Sequence, residues 1–284
     1  MNTQDSPRMT LYHRFAALFA LVTLAACASD DPEIAYVERP VETLYLEAHD
    51  TLEERRYDEA AARFDEVERQ HPYSEWARRS MLMAAFANYQ ANRYNEAIAD
   101  AERFINLHPG NQSAPYAYYL IAQCHFERIL DVGRDQGHTQ RALDALQQVV
   151  RRYPDSDYAR DARLKIDMTR DQLAGKEMSI GRFYLKNGQT LAAINRFKAV
   201  INDYETTTHT PEAMHRLVES YVSLGVNEEA RQVASVLGYN YPGSPWYEDS
   251  YELLTDRGIA APDANAPDGE RDGNFLTRAF GRIF

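Results

Sequence analysis

Two neighbouring stretches of this sequence repeat each other: residues 55–77, RRYDEAAARFDEVERQHPYSEWA, and residues 92–114, NRYNEAIADAERFINLHPGNQSA, align without a gap. The matching positions, each 37 residues apart, are Tyr57 and Tyr94, Ala60 and Ala97, and His71-Pro72 and His108-Pro109. A period in this range is typical of helical repeats, in which each unit buries its apolar face against its neighbour. The sequence therefore predicts a solenoid and not a single globular core.

Three more copies follow, so the chain holds five units. They are TQRALDALQQVVRRYPDSDYA (139–159), TLAAINRFKAVINDYETT (190–207) and VNEEARQVASVLGYNYPGSPWY (226–247). The interval between units two and three is eight residues longer than 37, which we assign to the polar loop RILDVGRDQGHT (128–139). The interval between units three and four is fourteen residues longer. These residues are predicted to lengthen a helix that begins near Ser156 and runs towards Lys186.

The residue pattern within each unit indicates two helices. In the first unit, the apolar positions at helical spacing are Leu44, Ala48 and Leu52, then Ala60, Phe64 and Val67. Pro72 is predicted to end the second helix, and Ser74, Ser156 and Ser244 stand where an N-cap is needed. The unit resembles the tetratricopeptide repeat, so the predicted fold is all-α: a tetratricopeptide-like superhelical solenoid of five helix-turn-helix repeats.

The N-terminus has the pattern of a secretory signal. Arg8 and Arg14 precede an apolar run of about a dozen residues, which is shorter than the roughly 20 that span a bilayer. Leu24-Ala25-Ala26-Cys27 resembles the lipobox of bacterial lipoproteins, which predicts cleavage after residue 26 and a lipid on Cys27. Two or more acyl chains anchor a protein stably to a membrane. The alternative is a secreted protein without lipid that has a chance cysteine there.

The cysteine content, the net charge and the sequence motifs limit the classes of function that the chain can have. Cys124 is the only other cysteine and is predicted to be a small buried residue. The formal net charge of −12 argues against nucleic-acid binding, so protein partners are expected. The sequence contains no nucleophile elbow, phosphate-binding loop or metal motif, which predicts neither catalysis nor a cofactor or metal. A hydrolase built on this scaffold would need a further domain, and no residues remain to form one.

The residues after the repeats form a polar linker followed by FLTRAFGRIF (275–284). On a helix, its apolar side chains would share a face that Arg278 and Arg282 avoid, which suits a partner groove or a membrane interface. The alternative is a frayed tail. The predicted segments are a signal peptide (1–26), a tether (27–41), repeats one to three (42–155), a long helix with repeats four and five (156–255), and the terminal linker (256–284).

Aromatic residues crowd the predicted first helices of repeats two and three, the type of helix that lines the groove of such solenoids. They are Phe86, Tyr89, Tyr116, Tyr118 and Tyr119. Rings in a groove can bind an extended peptide by packing while their hydroxyl groups contact its backbone. The alternative for any single ring is that it packs the repeats themselves.

Taken together, these features resemble a known family. The lipobox, the short tether, the five repeats, the GRDQ loop (133–136) and AAINRFKAVINDY (192–204) are similar to the BamD (YfiO, ComL) lipoproteins of the outer-membrane β-barrel assembly machinery. The resemblance covers roughly residues 20–255. It implies a non-enzymatic scaffold, anchored by lipid at the periplasmic face of the outer membrane, that helps receive and insert unfolded β-barrel proteins.

The resemblance also implies partners. The second half of such proteins docks the periplasmic POTRA region of the barrel-forming subunit BamA, other Bam lipoproteins join the complex, and the first half is thought to meet unfolded barrel substrates. Asn195 and Arg196 match the family's Asn-Arg in repeat four, which makes Arg196 a candidate for an ion pair with POTRA; the alternative is an ordinary surface arginine. The competing function is a periplasmic adaptor for division or peptidoglycan machinery.

Overall fold

The computed structural model describes residues 39–259, and within them the chain forms eleven α-helices and no strand. The helices are α1 (Val41–Glu53), α2 (Tyr57–Gln70), α3 (Glu75–Gln90), α4 (Tyr94–Leu107), α5 (Ala114–Phe126), α6 (Gly137–Arg152), α7 (Asp157–Lys186), α8 (Thr190–Asp203), α9 (Thr210–Leu224), α10 (Asn227–Asn240) and α11 (Pro245–Asp256). Consecutive helices pack against each other along the chain. The predicted all-α arrangement of helix-turn-helix repeats is confirmed.

The second helix of every repeat buries the same three positions. An alanine near its start is followed four and seven residues later by apolar side chains that are at most 1% exposed. The five sets are Ala60, Phe64 and Val67; Ala97, Ala101 and Phe104; Ala142, Leu146 and Val149; Ala193, Phe197 and Val200; and Ala230, Ala234 and Leu237. This spacing keeps one stripe of the helix against the neighbouring helices.

These second helices also end alike. The residue after each helix donates its backbone N–H to the last member of the buried stripe, as in His71 to Val67 and Tyr241 to Leu237. Two of the first helices, α3 and α7, begin at serine caps, since the side chains of Ser74 and Ser156 accept the backbone N–H groups of Ala77 and Ala159. Ser244 is also at an N-cap position, but Pro245 follows it and its side chain forms no capping bond.

Helix α7 extends over thirty residues, about 45 Å, and confirms the predicted long helix. Its Gly181 lies directly under the ring of Phe197 in α8, where a Cβ atom would come within 2.4 Å of a ring carbon. Ala174 and Met178 of α7 join a single apolar core that continues through α8, α9, α10 and α11. Repeats one to three have three smaller clusters in its place.

The polar loop between α5 and α6 covers residues 127–136 and is held by the long helix. Gln172 donates to the carbonyl of Leu130 at 2.6 Å, and Lys176 to the carbonyl of Arg134 at 3.2 Å. His125 and His138 lie on either side of the loop with ring centroids 6.0 Å apart. Burial lowers the pKa of both imidazoles, as does the positive charge of Arg128 and Arg141.

Several predictions fall outside the described residues: the signal peptide, the lipid site at Cys27, most of the tether, and FLTRAFGRIF. The grouping into segments 42–155 and 156–255 stays a prediction. From residue 39 to residue 259, none of the helices is long and apolar enough to span a membrane.

We expect Gly181→Val to destabilise the fold, because the new side chain overlaps Phe197, which is fully buried and has little room to move. Overpacking of a dense core costs about 1–3 kcal/mol. Thermal and urea unfolding measure the loss. Gly110→Val is the control, since a Cβ there has open space and should leave stability nearly unchanged. Equal losses in both variants would contradict the close α7–α8 contact.

The lowered pKa values of His125 and His138 predict that the fold becomes less stable in acid. A lowered imidazole pKa means that the folded protein resists protonation, so stability is complete above the ordinary pKa of about 6.5 and falls as the pH decreases through it. His138→Asn should flatten the decline of the melting temperature between about pH 7.5 and about pH 5.5. His49→Asn, for a histidine remote in sequence in α1, is the control. An unchanged pH profile in His138→Asn would contradict this assignment.

Candidate protein-binding surfaces

The first helices of successive repeats contact each other through aromatic rings. Trp76 of α3 lies 4.7 Å from the ring of Tyr45 in α1, and Tyr158 of α7 lies 5.7 Å from the ring of Tyr116 in α5. Trp246 of α11 lies 5.4 Å from the imidazole of His215 in α9. In each pair, the ring named first, Trp76, Tyr158 or Trp246, is the second residue of its helix. One surface of the solenoid is therefore lined with rings.

A cavity of about 420 Å³ opens on this surface in repeats one to three. It is lined by Tyr45, Glu75, Arg78, Arg79, Leu82, Met83, Phe104, Asn111, Gln112, Ser113, Tyr116 and Tyr158. Rings and aliphatic side chains form part of its wall, while two arginines and two amides supply hydrogen-bond donors. Such a mixture suits an extended peptide, whose side chains need apolar contacts and whose carbonyl groups need donors.

One of the predicted tyrosines lines this cavity, and a second, Tyr119, packs beside one of the lining rings. Tyr116 lines the cavity, and burial raises the pKa of its phenol strongly. Tyr119 lies with its ring 5.3 Å from that of Tyr158 and donates its hydroxyl to Asp161. Burial, followed by this bond to a carboxylate, raises its pKa. Both phenols therefore remain neutral throughout the physiological pH range, and the proton of the Tyr119 hydroxyl is already donated to Asp161.

The other three predicted rings pack within the solenoid. Phe86 packs against the apolar cluster of repeats one and two. Tyr89 donates to Glu127 at 3.2 Å, and burial together with that carboxylate raises its pKa to about 12. Tyr118 faces Tyr153, with the guanidinium of Arg152 5.1 Å from its ring centre. None of these three lines the cavity, so for them the alternative of repeat packing describes the observed contacts.

Four residues that line the cavity were not predicted from the sequence: Tyr45, Arg78, Arg79 and Tyr158. A signal for Tyr158 was present, because an aromatic residue follows the capping serine by two positions in three repeats, at Trp76, Tyr158 and Trp246. The arginines carry no such signal. Their place on the cavity wall depends on the angle between α1 and α3.

Arg196 and Asn195 lie on α8, the second helix of repeat four, and line none of the described cavities. The guanidinium of Arg196 donates to Glu177 of α7 at 3.0 Å, and its side chain is 42% exposed. This hydrogen bond raises the pKa of Arg196. Asn195 is exposed. Arg196 is therefore anchored within the chain while part of its guanidinium remains accessible.

Among the described residues, two features bear on catalysis: the possible metal ligands and the thiol of Cys124. Between residues 39 and 259, no group of three or more His, Cys, Asp and Glu side chains is placed to hold a metal ion. Cys124 is fully buried, and burial raises the pKa of its thiol to about 12, so it is not a nucleophile. The described residues therefore offer surfaces suited to binding.

Comparison with known proteins gives close relatives. A sequence model of the YfiO family, described as outer membrane lipoprotein, matches residues 37–237. The outer membrane protein assembly factor BamD of Caulobacter vibrioides is 58% identical over 258 residues, covering 90% of this chain and 83% of the relative. That of Rickettsia prowazekii is 44% identical over 247 residues, covering 87% and 98%.

Among solved structures, the TPR2AB domain of yeast Sti1 is similar, with a TM-score of 0.41 and 12% identity over 76% of this chain and 84% of that one. The family match alone covers well over half of the chain, and two relatives exceed 40% identity over most of their length. By these matches, the chain belongs to the YfiO family of outer membrane lipoproteins, together with the proteins named BamD.

Proposed function

We propose that this protein is a scaffold of the Bam complex that takes part in the assembly of outer-membrane proteins. Its relatives are named outer membrane protein assembly factors, and the tetratricopeptide-like fold is one of protein interaction. The chain is not an enzyme; it acts by holding proteins together. The observation that carries the proposal at the level of residues is the cavity of repeats one to three.

The cavity is the proposed receiving site for an extended segment of an unfolded β-barrel protein. Barrel strands alternate apolar and polar side chains, with aromatic residues near the membrane interfaces. Such a segment would place apolar side chains against Tyr116, Tyr158 and Met83, while Arg78 and Arg79 donate to its carbonyl or carboxylate groups. The acidic surface elsewhere would keep the unfolded segment from adhering at random.

Repeats four and five are the proposed docking region for the POTRA part of a BamA-type subunit. Arg196 supports this role through its geometry, because it donates to Glu177 while its side chain remains 42% exposed. A carboxylate of the partner would form a second charge-assisted hydrogen bond. Asn195 is exposed beside it and adds an amide. Other Bam lipoproteins are proposed to join the same assembly.

Membrane attachment is proposed to occur through lipid on Cys27, at the periplasmic face of the outer membrane. The family description as lipoproteins supports the anchor, and the lipobox residues 24–27 supply the thiol. An anchor of this kind confines the scaffold to two dimensions and raises its effective concentration near membrane partners. An adaptor for division or peptidoglycan machinery is not favoured, because the relatives carry assembly-factor names.

Tyr116→Leu should weaken binding of a peptide copied from the last strand of a β-barrel protein by about 5- to 10-fold, the value of one favourable aromatic contact. Fluorescence anisotropy with a labelled peptide measures the change. Tyr118→Leu is the control, because that ring is similarly half-buried but packs on Tyr153, outside the cavity. Equal weakening in both variants would place the peptide elsewhere.

Arg196→Glu should abolish capture of the BamA-type subunit in a crosslinked pull-down, because it places a second carboxylate beside Glu177. Folding should survive, since exposed ion pairs contribute about 0–1 kcal/mol. Circular dichroism checks the fold. The control is Arg231→Glu on α10, where the arginine is 35% exposed and paired with Glu228 at 2.6 Å. Undiminished capture by folded Arg196→Glu would contradict docking at repeat four.

A further inference from the structure

A second cavity of about 420 Å³ opens between α9, the first helix of repeat five, and α11, the helix that follows this repeat. Its apolar part is formed by Trp246 and Leu253, and four carboxylates surround it: Glu219, Asp249, Glu252 and Asp256. We call these six residues the acidic face. It is separate from the cavity of repeats one to three and from Arg196 on α8.

The acidic face carries an excess of negative charge. His215 and Arg216 complete the lining of the cavity. Arg216 already donates to Glu219 at 2.7 Å and to Glu212 at 3.4 Å. Within the described part of the chain, no ion pair reaches Asp249, Glu252 or Asp256, and the side chains of these three residues are exposed. Three carboxylates that form no ion pair among the described residues therefore lie beside the half-buried indole of Trp246. The guanidinium of Arg216 is 5.5 Å from the centre of that ring.

The spacing along α11 aligns these groups into one stripe. Trp246, Asp249, Leu253 and Asp256 follow one another at intervals of three or four residues, so they share one side of the helix. Apolar and acidic side chains thus alternate along about two and a half turns. A complementary ligand would carry arginine or lysine at similar intervals among apolar or aromatic side chains.

The chain itself contains such a segment. Residues 275–284, FLTRAFGRIF, carry Arg278 and Arg282 four positions apart among three phenylalanines, a leucine and an isoleucine. The segment has no acidic residue, although the whole chain has a net charge of −12. Its positive charge is complementary to the carboxylates of the acidic face, and its apolar side chains are complementary to Trp246 and Leu253.

The distance along the chain permits the contact. Asp256 is the last residue of α11, and Ile259 packs against the core of repeats four and five. Sixteen positions separate Ile259 from Phe275, a length that reaches at most about 55 Å when extended. A flexible chain of that length has an average span of about 20–24 Å. The effective concentration of the segment near the acidic face is therefore on the order of millimolar.

We propose that residues 275–284 dock on the acidic face of the same chain, with the arginines on the carboxylates and the apolar side chains on Trp246 and Leu253. This contact covers the cavity between α9 and α11. A partner that uses this surface must displace the segment. The proposal goes beyond the proposed function, which uses the cavity of repeats one to three and Arg196.

Trp246 is a built-in probe for this contact, because the chain has only two tryptophans. In the full chain with Cys27→Ala and Trp76→Phe, acrylamide quenching of fluorescence reports on Trp246 alone. Arg278→Glu with Arg282→Glu should raise the quenching constant about two-fold, because a tethered segment at millimolar effective concentration shields the indole most of the time. Adding Asp249→Arg and Glu252→Arg to that variant should restore the shielding.

Controls separate the other occupants of the acidic face. Arg160→Glu with Arg163→Glu makes the same change in net charge on exposed positions of α7 and should leave quenching unchanged. No effect of Arg278→Glu with Arg282→Glu overturns the proposal. Shielding that disappears on dilution indicates a second copy of the chain and also overturns it. Shielding that requires anionic phospholipid vesicles overturns it in favour of a membrane contact.

Discussion

The close approach of helices at a repeated alanine is the constraint on which the rest of this structure depends. Ala60, Ala97, Ala142, Ala193 and Ala230 are all fully buried. A larger side chain at these positions would push the helices apart in a core that is packed as densely as an organic crystal. Because the contact recurs in every repeat, it fixes how each pair of helices packs, and it brings the first helices together on one surface.

That surface carries the ring pairs and the two cavities described above. Ring pairs such as Trp76 with Tyr45 and Trp246 with His215 join successive first helices, and cavities open beside them. The two cavities differ in charge, since one contains Arg78 and Arg79 and the other is bordered by carboxylates. One repeat architecture therefore presents two surfaces of different charge.

The long helix α7 connects two differently built regions. Repeats four and five share one continuous core that includes Met178 of α7, whereas repeats one to three bury three smaller clusters. In a solenoid each repeat contacts mainly its neighbours, so separate clusters permit local adjustment while a shared core moves as a unit. An adjustable receiving region joined to a firm docking region is consistent with the proposed division of roles.

The sequence by itself determined the five repeats, the serine caps, the long helix and the buried Cys124, because period, capping and apolar spacing are local properties of the chain. It also placed Tyr116 in a groove. It could not separate Tyr116 from Phe86, Tyr89 and Tyr118, which have the same composition and helical context but pack inside the solenoid. Only the tertiary structure decided which rings line a cavity, which arginines join them, and that Arg196 pairs with Glu177, because these contacts depend on the angles at which helices distant in sequence meet.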